Sequence, residues 1–264
     1  MTGNMTLDSI QNAKRIRPPR ILLIGTEKVG KSTFASSAPS PIVVSVKGEE
    51  GVDDFDVPSF PLAESFIDVR QALMTLQQTK DYKTLVIDSA SALHPLVIKA
   101  SLEKESVDSE PKLGGGYGHQ YDTPLIFWSE IMQAIDRLRA HGMASILIGH
   151  VQTKTFQDPI NGSYTRYSLD LPEKIAQAIY RWVDVILFAD WNVYTQEKDL
   201  GFNRTQTIGV GSGDRRLYTQ KRPSHPGGGR GVYGHLPYEL PLEWKAFQNE
   251  VSKLVSSPKK EKVK

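Results

Sequence analysis

Gly25, Gly30, Lys31 and Ser32 fall in the run GTEKVGKS, residues 25–32, and these residue types at this spacing suit the gripping of a phosphate chain. Glycines at 25 and 30 let the backbone wrap closely, so consecutive N–H groups point inward at an anion held at the positive end of a helix dipole. Lys31 is expected to bridge β- and γ-phosphates, and Ser32 to offer its hydroxyl to Mg²⁺. Gly25, Thr26, Glu27, Lys28, Val29, Gly30, Lys31, Ser32 and Thr33 are the expected nucleotide contacts. The motif recurs by chance in many chains. Here it follows the apolar run ILLIG and opens the helix-compatible TFASSA, which is the context such a loop needs. The plainer alternative is a glycine turn with an incidental Gly-Lys-Ser.

A magnesium-nucleotide site also needs an acid at the end of a neighbouring strand. Asp88 ends TLVID and can hold the metal with Ser32, while Ser89 hydrogen-bonds nearby; a helix N-cap is the competing role for Asp88. Lys31, Ser32 and Asp88 together specify a P-loop NTPase, with ATP and Mg²⁺ as expected ligands. Hydrolysis needs a group that positions or deprotonates water. Glu49 and Glu50 follow the strand IVVSV, which is expected beside the phosphate loop; a solvated KGEEG turn would explain them equally. His150, closing the run ILIG, is placed to report the γ-phosphate onward, with Gln152, or to serve a purely structural role.

These residues must be carried by strands and helices that alternate. ILLIG (21–25), IVVSV (42–46) and TLVID (84–88) are short apolar runs of the kind buried on both faces of a parallel sheet. Between them, one helix starts at Lys31 and is stopped by Pro39, and another carries Leu62, Phe66, Val69, Leu73 and Leu76 at helical spacing. The pattern predicts a three-layer α/β fold with a mostly parallel sheet. Residues 101–121, with Gly114-Gly115-Gly116, are expected to form a long mobile loop. A helix capped by Asp122 or Thr123 follows, with Leu125, Trp128, Ile131, Ile135 and Leu138 as its stripe, and then the strand ASILIG (144–149). VQTKTFQ and SYTRYSL predict a hairpin around DPING, PEKIAQAIYRWV a helix and DVILFAD a strand. RTQTIGV and RRLYT, joined by GSGD, are expected to form a second antiparallel pair, and PLEWKAFQNEVSKLVSS a closing helix.

The chain has 264 residues, 39% hydrophobic and 23% charged, with a net charge of +2, so its overall charge argues for no particular partner. Lys14, Arg15, Arg17 and Arg20 crowd one end and Lys259, Lys260, Lys262 and Lys264 the other, as solvated tails or phosphate-attracting arms. The expected organisation is a flexible basic leader over 1–19, one ATPase core over 20–256 and a lysine-rich tail over 257–264. The chain contains no cysteine, which excludes disulfides, thiolate zinc sites and Cys nucleophiles. Its longest apolar runs are too short to span a bilayer, so a cytoplasmic protein without a membrane partner is expected.

The succession RILLIGTEKVGKSTFASSAPSPIVVSVKGEEGVDDFD, TLVIDSAS, the YGHQY region and ASILIGHVQTK resembles the phage-encoded RecA/RadA-like core ATPases that act as single-strand annealing proteins. The resemblance covers roughly residues 20 to 240. It implies a RecA-like core, ATP-dependent self-assembly as a ring or filament, single-stranded DNA binding, and a bacterial host cell for a phage-encoded chain. It puts Glu49 in the place of the catalytic glutamate, with Glu50 as the near alternative. Members of that group carry an acidic-Thr-Glu-Gly-Gly run where this chain has Val46 to Gly51, and a Lys-x-Arg type segment where it has QKRPSHPGGGRGVYG.

In that arrangement ATP lies between protomers and a neighbour's cations complete the site. Arg215, Arg216, Lys221, Arg222 and Arg230 are the candidates, with a solvated hairpin face as the alternative. For DNA, two segments combine cations and rings: Lys112, Tyr117, His119 and Tyr121 in one, and Lys154, Phe156, Tyr164, Arg166 and Tyr167 in the other. Rings alternating along a hairpin also pack against each other. His119 with Asp122 has the look of a metal pair but lacks a third spaced ligand. Beside an annealing or recombination ATPase, with a single-strand-binding protein as a candidate partner, two other functions fit: a P-loop small-molecule phosphotransferase, and an ATP-switched assembly module with little turnover.

Overall fold

The computed structural model describes residues 6, 7, 10, 17–49, 51, 54–160, 162–199 and 205–256. The leader and the lysine tail therefore lie largely or wholly outside the described residues, as does Glu50. In chain order the elements are β1 (Arg20–Gly25), α1 (Lys31–Ser36), β2 (Pro41–Ser45), α2 (Phe66–Leu76), β3 (Thr84–Asp88), α3 (Ala90–Glu105) and α4 (Asp122–Ala140). There follow β4 (Ala144–Asp158), β5 (Gly162–Leu169), α5 (Glu173–Trp182), β6 (Val185–Asp199), β7 (Thr205–Tyr218), β8 (Gly228–Gly229), β9 (Glu239–Pro241) and α6 (Trp244–Ser256).

The sheet runs β2-β3-β4-β1-β6-β7-β9, with β5 added to β4 and β8 to β6. The five strands from β2 to β6 are parallel, and β7 and β9 extend the sheet antiparallel. This is the expected mostly parallel α/β sandwich with antiparallel strands toward the C-terminus. Its central strand shows why the apolar runs are continuous: Leu22 and Ile24 enter the core beneath α2 to α5, and Ile21 and Leu23 enter the core beneath α1 and α6.

Strand order corrects one expectation. IVVSV does not lie beside the phosphate-loop strand; β2 is the sheet edge, three places from β1, and β3 is separated from β1 by β4. Adjacency in the chain did not become adjacency in the sheet, because each helical crossover can skip a strand.

Residues 101–105 belong to helix α3 instead of a loop, and Glu110–Gly115 form a 3₁₀ turn. Ser89, not Asp88, caps α3, accepting from Ala92 N at 3.1 Å. Tyr121 occupies the N-cap of α4, while the Asp122 carboxylate turns to His119 and Lys174, and Leu62 lies ahead of α2, whose cap is Ser65. Residues 205–218, which cover most of the expected second pair, are one strand, β7, paired with β6 on both sides of a register shift. The GSGD segment is a bulge in that strand: the register jumps between Trp191–Arg215 and Val193–Gly211, and Gly213 takes the left-handed conformation that makes it look like a turn in sequence. The 223–231 connection contributes β8.

Candidate nucleotide site

β1 ends where the loop begins. Gly25 pairs in register with Ala189 of β6, and a Cβ at Gly25 would strike the Ala189 carbonyl, so the tight junction needs glycine. Gly30 has φ +104°, the second place where a side chain would be strained. Between them the loop folds over Lys31, which is buried and donates from Nζ to the carbonyls of Gly25 at 3.0 Å and Thr26 at 2.7 Å. Burial pushes the Lys31 pKa down, against the pull of Asp88, Glu49 and Glu27. Thr26 Oγ1 donates to Asp190 Oδ1 at 2.9 Å, fastening the loop to β6.

Ser32 and Asp88 meet as their types demand, the hydroxyl donating to Asp88 Oδ2 at 2.7 Å. Asp88 is 4% exposed. Burial raises its pKa, and the Ser32 hydrogen bond opposes that rise. Two hard oxygen donors, one a buried carboxylate without an ion pair among the described residues, fit a hard divalent cation such as Mg²⁺.

Glu49 arrives from the far strand β2 by the 46–49 turn, in which Glu49 N bonds Val46 O. Its carboxylate accepts from Ser89 Oγ at 2.9 Å and is paired with His150 Nε2. The His150 pair, the largest influence, holds Glu49 below the usual carboxylate range; reciprocally, the Glu49 hydrogen bond raises the His150 pKa. His150 sits in register with Gly25 at the carboxyl edge of the sheet, and its main-chain N donates to Ser91 Oγ at 3.1 Å. Lys31, Ser32, Glu49, Asp88 and His150 thus converge, and charges on Lys31, Asp88 and Glu49 are close enough to shift one another. Asp190 is the loop partner that sequence reasoning missed.

A family model for an AAA domain, AAA_24, matches residues 17–231. The chain belongs to this AAA-domain family. It is accordingly an AAA-type P-loop ATPase. No curated protein matches the chain. Among solved structures it is similar to one titled "Crystal structure of the RadB recombinase", with 14% identity, a TM-score of 0.39, and coverage of 74% of this chain and 88% of that one.

The cations expected around this AAA-domain site separate. Arg215 reaches the loop of its own chain, with Nη1 2.7 Å from where a Cβ on Gly30 would sit. Arg216 faces the other side of the sheet, ion-paired with Glu239 at 3.3 Å and Asp214 at 3.8 Å. Arg230 lies at the opposite end of the strands, its main-chain N bonded to Asp184 O, so it is remote from its own loop. Lys221 and Arg222 are exposed beside the β4–β5 hairpin.

Of the DNA candidates, Lys154, Phe156 and Arg166 share one hairpin face with Tyr164. Lys154 pairs with Arg166 and Phe156 with Tyr164, their rings 5.5 Å apart, and the Arg166 guanidinium lies 3.8 Å from the Phe156 ring centroid. Tyr167 is on the other face and packs on Phe188, 5.2 Å away. Tyr117 is fully exposed, Lys112 is ion-paired with Asp108, and His119 Nδ1 lies 2.9 Å from Asp122 Oδ2. Among the described residues no group of three or more His, Cys, Asp or Glu is placed to hold a metal. Nor, among them, is any helix long and apolar enough to cross a membrane.

Proposed function

We propose that this AAA-domain ATPase binds ATP with Mg²⁺ at the 25–33 loop, hydrolyses it with Glu49 as the base, and assembles on single-stranded DNA to promote annealing or homologous recombination. Lys31 exchanges its loop carbonyls for the β- and γ-phosphates. Ser32 and Asp88 hold the metal, which when bound neutralises charge on the phosphates. Glu49 orients the attacking water and takes its proton. A ring or filament of copies, and a single-strand-binding partner, belong to the same reading.

One observation carries the link between nucleotide and DNA. β4 is a single strand from the sheet interior through His150, which touches Glu49, into the hairpin that bears Lys154, Phe156, Tyr164 and Arg166. Cations for phosphates and rings for bases are what sequence-tolerant single-strand binding uses. Lys221 and Arg222 face that hairpin across a groove of about 460 Å³ that Asp158, Tyr164 and Pro223 also line. The grip of His150 and Ser89 on Glu49 also supports a second reading, an ATP-switched assembly module with little turnover.

Phosphate release measured with and without single-stranded DNA separates these. A DNA-coupled ATPase is stimulated, a switch stays silent in both conditions, and turnover indifferent to DNA points to a small-molecule phosphotransferase. Lys31→Ala is expected to abolish nucleotide-dependent assembly; unchanged rings or filaments in that variant would remove the loop from the explanation.

A further inference from the structure

The loop has a neighbour that phosphate chemistry alone leaves unexplained. Asp190 Oδ1 accepts from Thr26 Oγ1 and also from the main-chain N of Trp191, each at 2.9 Å. Trp191 is therefore one carboxylate removed from the phosphate loop. It stands two residues past Ala189, the register partner of Gly25, and so just beyond the carboxyl edge of the sheet.

Strand alternation tells which way it faces. Val185, Leu187 and Ala189 of β6 and Leu217 of β7 all enter the core on the α1 and α6 side. With a period of two, Trp191 and Arg215 continue that face, and they are direct cross-strand partners, so both side chains project on the side of the loop and α1. Arg215 proves the direction by reaching Gly30. The bulge in β7 begins immediately after this pair, a device that interrupts regular pairing and re-aims side chains beside functional sites.

Trp191 is 40% exposed, and among the described residues no aromatic ring packs against it. A flat indole presented to solvent beyond the sheet edge, one carboxylate from the 25–33 loop, has the chemistry of a stacking platform for a nucleobase, and Arg215 on the next strand reaches the same loop. We propose that Trp191 carries the purine ring of ATP and that Arg215 acts in cis on the phosphates held by the loop. The proposal rests on the ATP reading of the loop given above. A stacking surface grips any purine by its π-face, so ATP and GTP should bind within a few-fold of each other.

Equilibrium binding of magnesium ATP and magnesium tripolyphosphate to the full chain tests it. Trp191→Ala should weaken ATP roughly 5- to 100-fold, as loss of one stacked base does, and leave tripolyphosphate unchanged. Trp191→Phe should restore most of the ATP affinity, and Arg215→Gln should weaken both ligands. ATP should quench tryptophan emission in the unaltered protein and do so much less in Trp191→Phe. The proposal is overturned by Trp191→Ala binding ATP like the unaltered protein, or losing both ligands equally. Failure of the underlying reading looks different: the unaltered protein binds neither ligand, or Lys31→Ala binds tripolyphosphate as well as it does, and either result overturns both.

Discussion

Glu49, on a turn, and His150, midway along β4 and 101 residues away in sequence, are joined side chain to side chain over the carboxyl edge of the sheet, with Ser89 Oγ completing the hold on the carboxylate. A carboxylate bound this way is oriented, and it is also engaged. Under the proposed mechanism, the imidazolium must release Glu49 before it can take a proton from water. The raised His150 pKa, caused first by Glu49, gives this a pH signature. A raised folded pKa means the pair is intact below the ordinary imidazole value of about 6.5 and is lost as pH rises through the elevated folded value. Phosphate release should climb across that window, and His150→Gln should flatten the climb; a profile identical in both proteins would contradict the proposed restraint.

Glu49→Gln is expected to spare ATP binding within a few-fold and to lower single-turnover hydrolysis by at least about 10²-fold, the scale on which positioned acid–base groups act. Normal hydrolysis in this variant, followed in a quench experiment, would move the role to Glu50.

Much of this site is legible in the sequence because it depends on local chemistry. ILLIG and TLVID read as buried strands from their unbroken apolar runs, and GTEKVGKS reads as a phosphate loop from the strand before it and the helix after it. What depends on strand order does not read. Asp190 reaches Thr26 only because β6 lies beside β1, and Glu49 reaches His150 by a turn from an edge strand that sequence order wrongly puts next to the loop. Helix α3 is hidden for another reason: its buried face is Ala90, Leu93, Val97 and Ser101, small or polar at two positions, and it contains Pro95, a helix breaker in sequence. GSGD has the composition of a turn and the role of a bulge because Gly213 supplies the same left-handed conformation to either.

Stability should depend heavily on the opposite end of the strands. Asp184, nearly buried, accepts from Arg20 N at 2.9 Å, Nε at 3.2 Å and Nη2 at 3.0 Å, and is paired with Arg139 at 3.0 Å. Burial pushes its carboxyl up, and the Arg20 hydrogen bonds with the two arginine charges more than offset this, so its pKa falls below the ordinary value. With a depressed folded pKa, the contribution is present above the unfolded value of about 3.9 and is lost as pH falls through the folded value. Asp184→Asn should cost about 3–5 kcal/mol in urea denaturation at neutral pH, because it leaves Arg139 without its carboxylate and Arg20 with Asp136 alone. A loss under about 1 kcal/mol would show that the cluster is solvent-relaxed.

On the hairpin, Phe156→Ala and Tyr164→Ala should each weaken single-stranded DNA by about 1–3 kcal/mol if bases stack there. Lys154→Ala and Arg166→Ala should instead reduce the salt dependence of binding, each by a slope of about 0.7, the single-strand value per phosphate. DNA affinity unchanged in all four, by anisotropy titration at two salt concentrations, would remove this face from the interface.

The central claim, that the 25–33 loop and its buried ammonium grip a triphosphate, is tested most directly by calorimetric titration of magnesium ATP into the unaltered chain and into Lys31→Ala. The account predicts saturable one-site binding to the first and at least about a 10²-fold loss in the second, the scale of removing one preorganised charge partner. Thermal stability should be undiminished in the variant, because the burial that lowers the Lys31 pKa is a cost the alanine relieves. Equal affinity in the two proteins would contradict it.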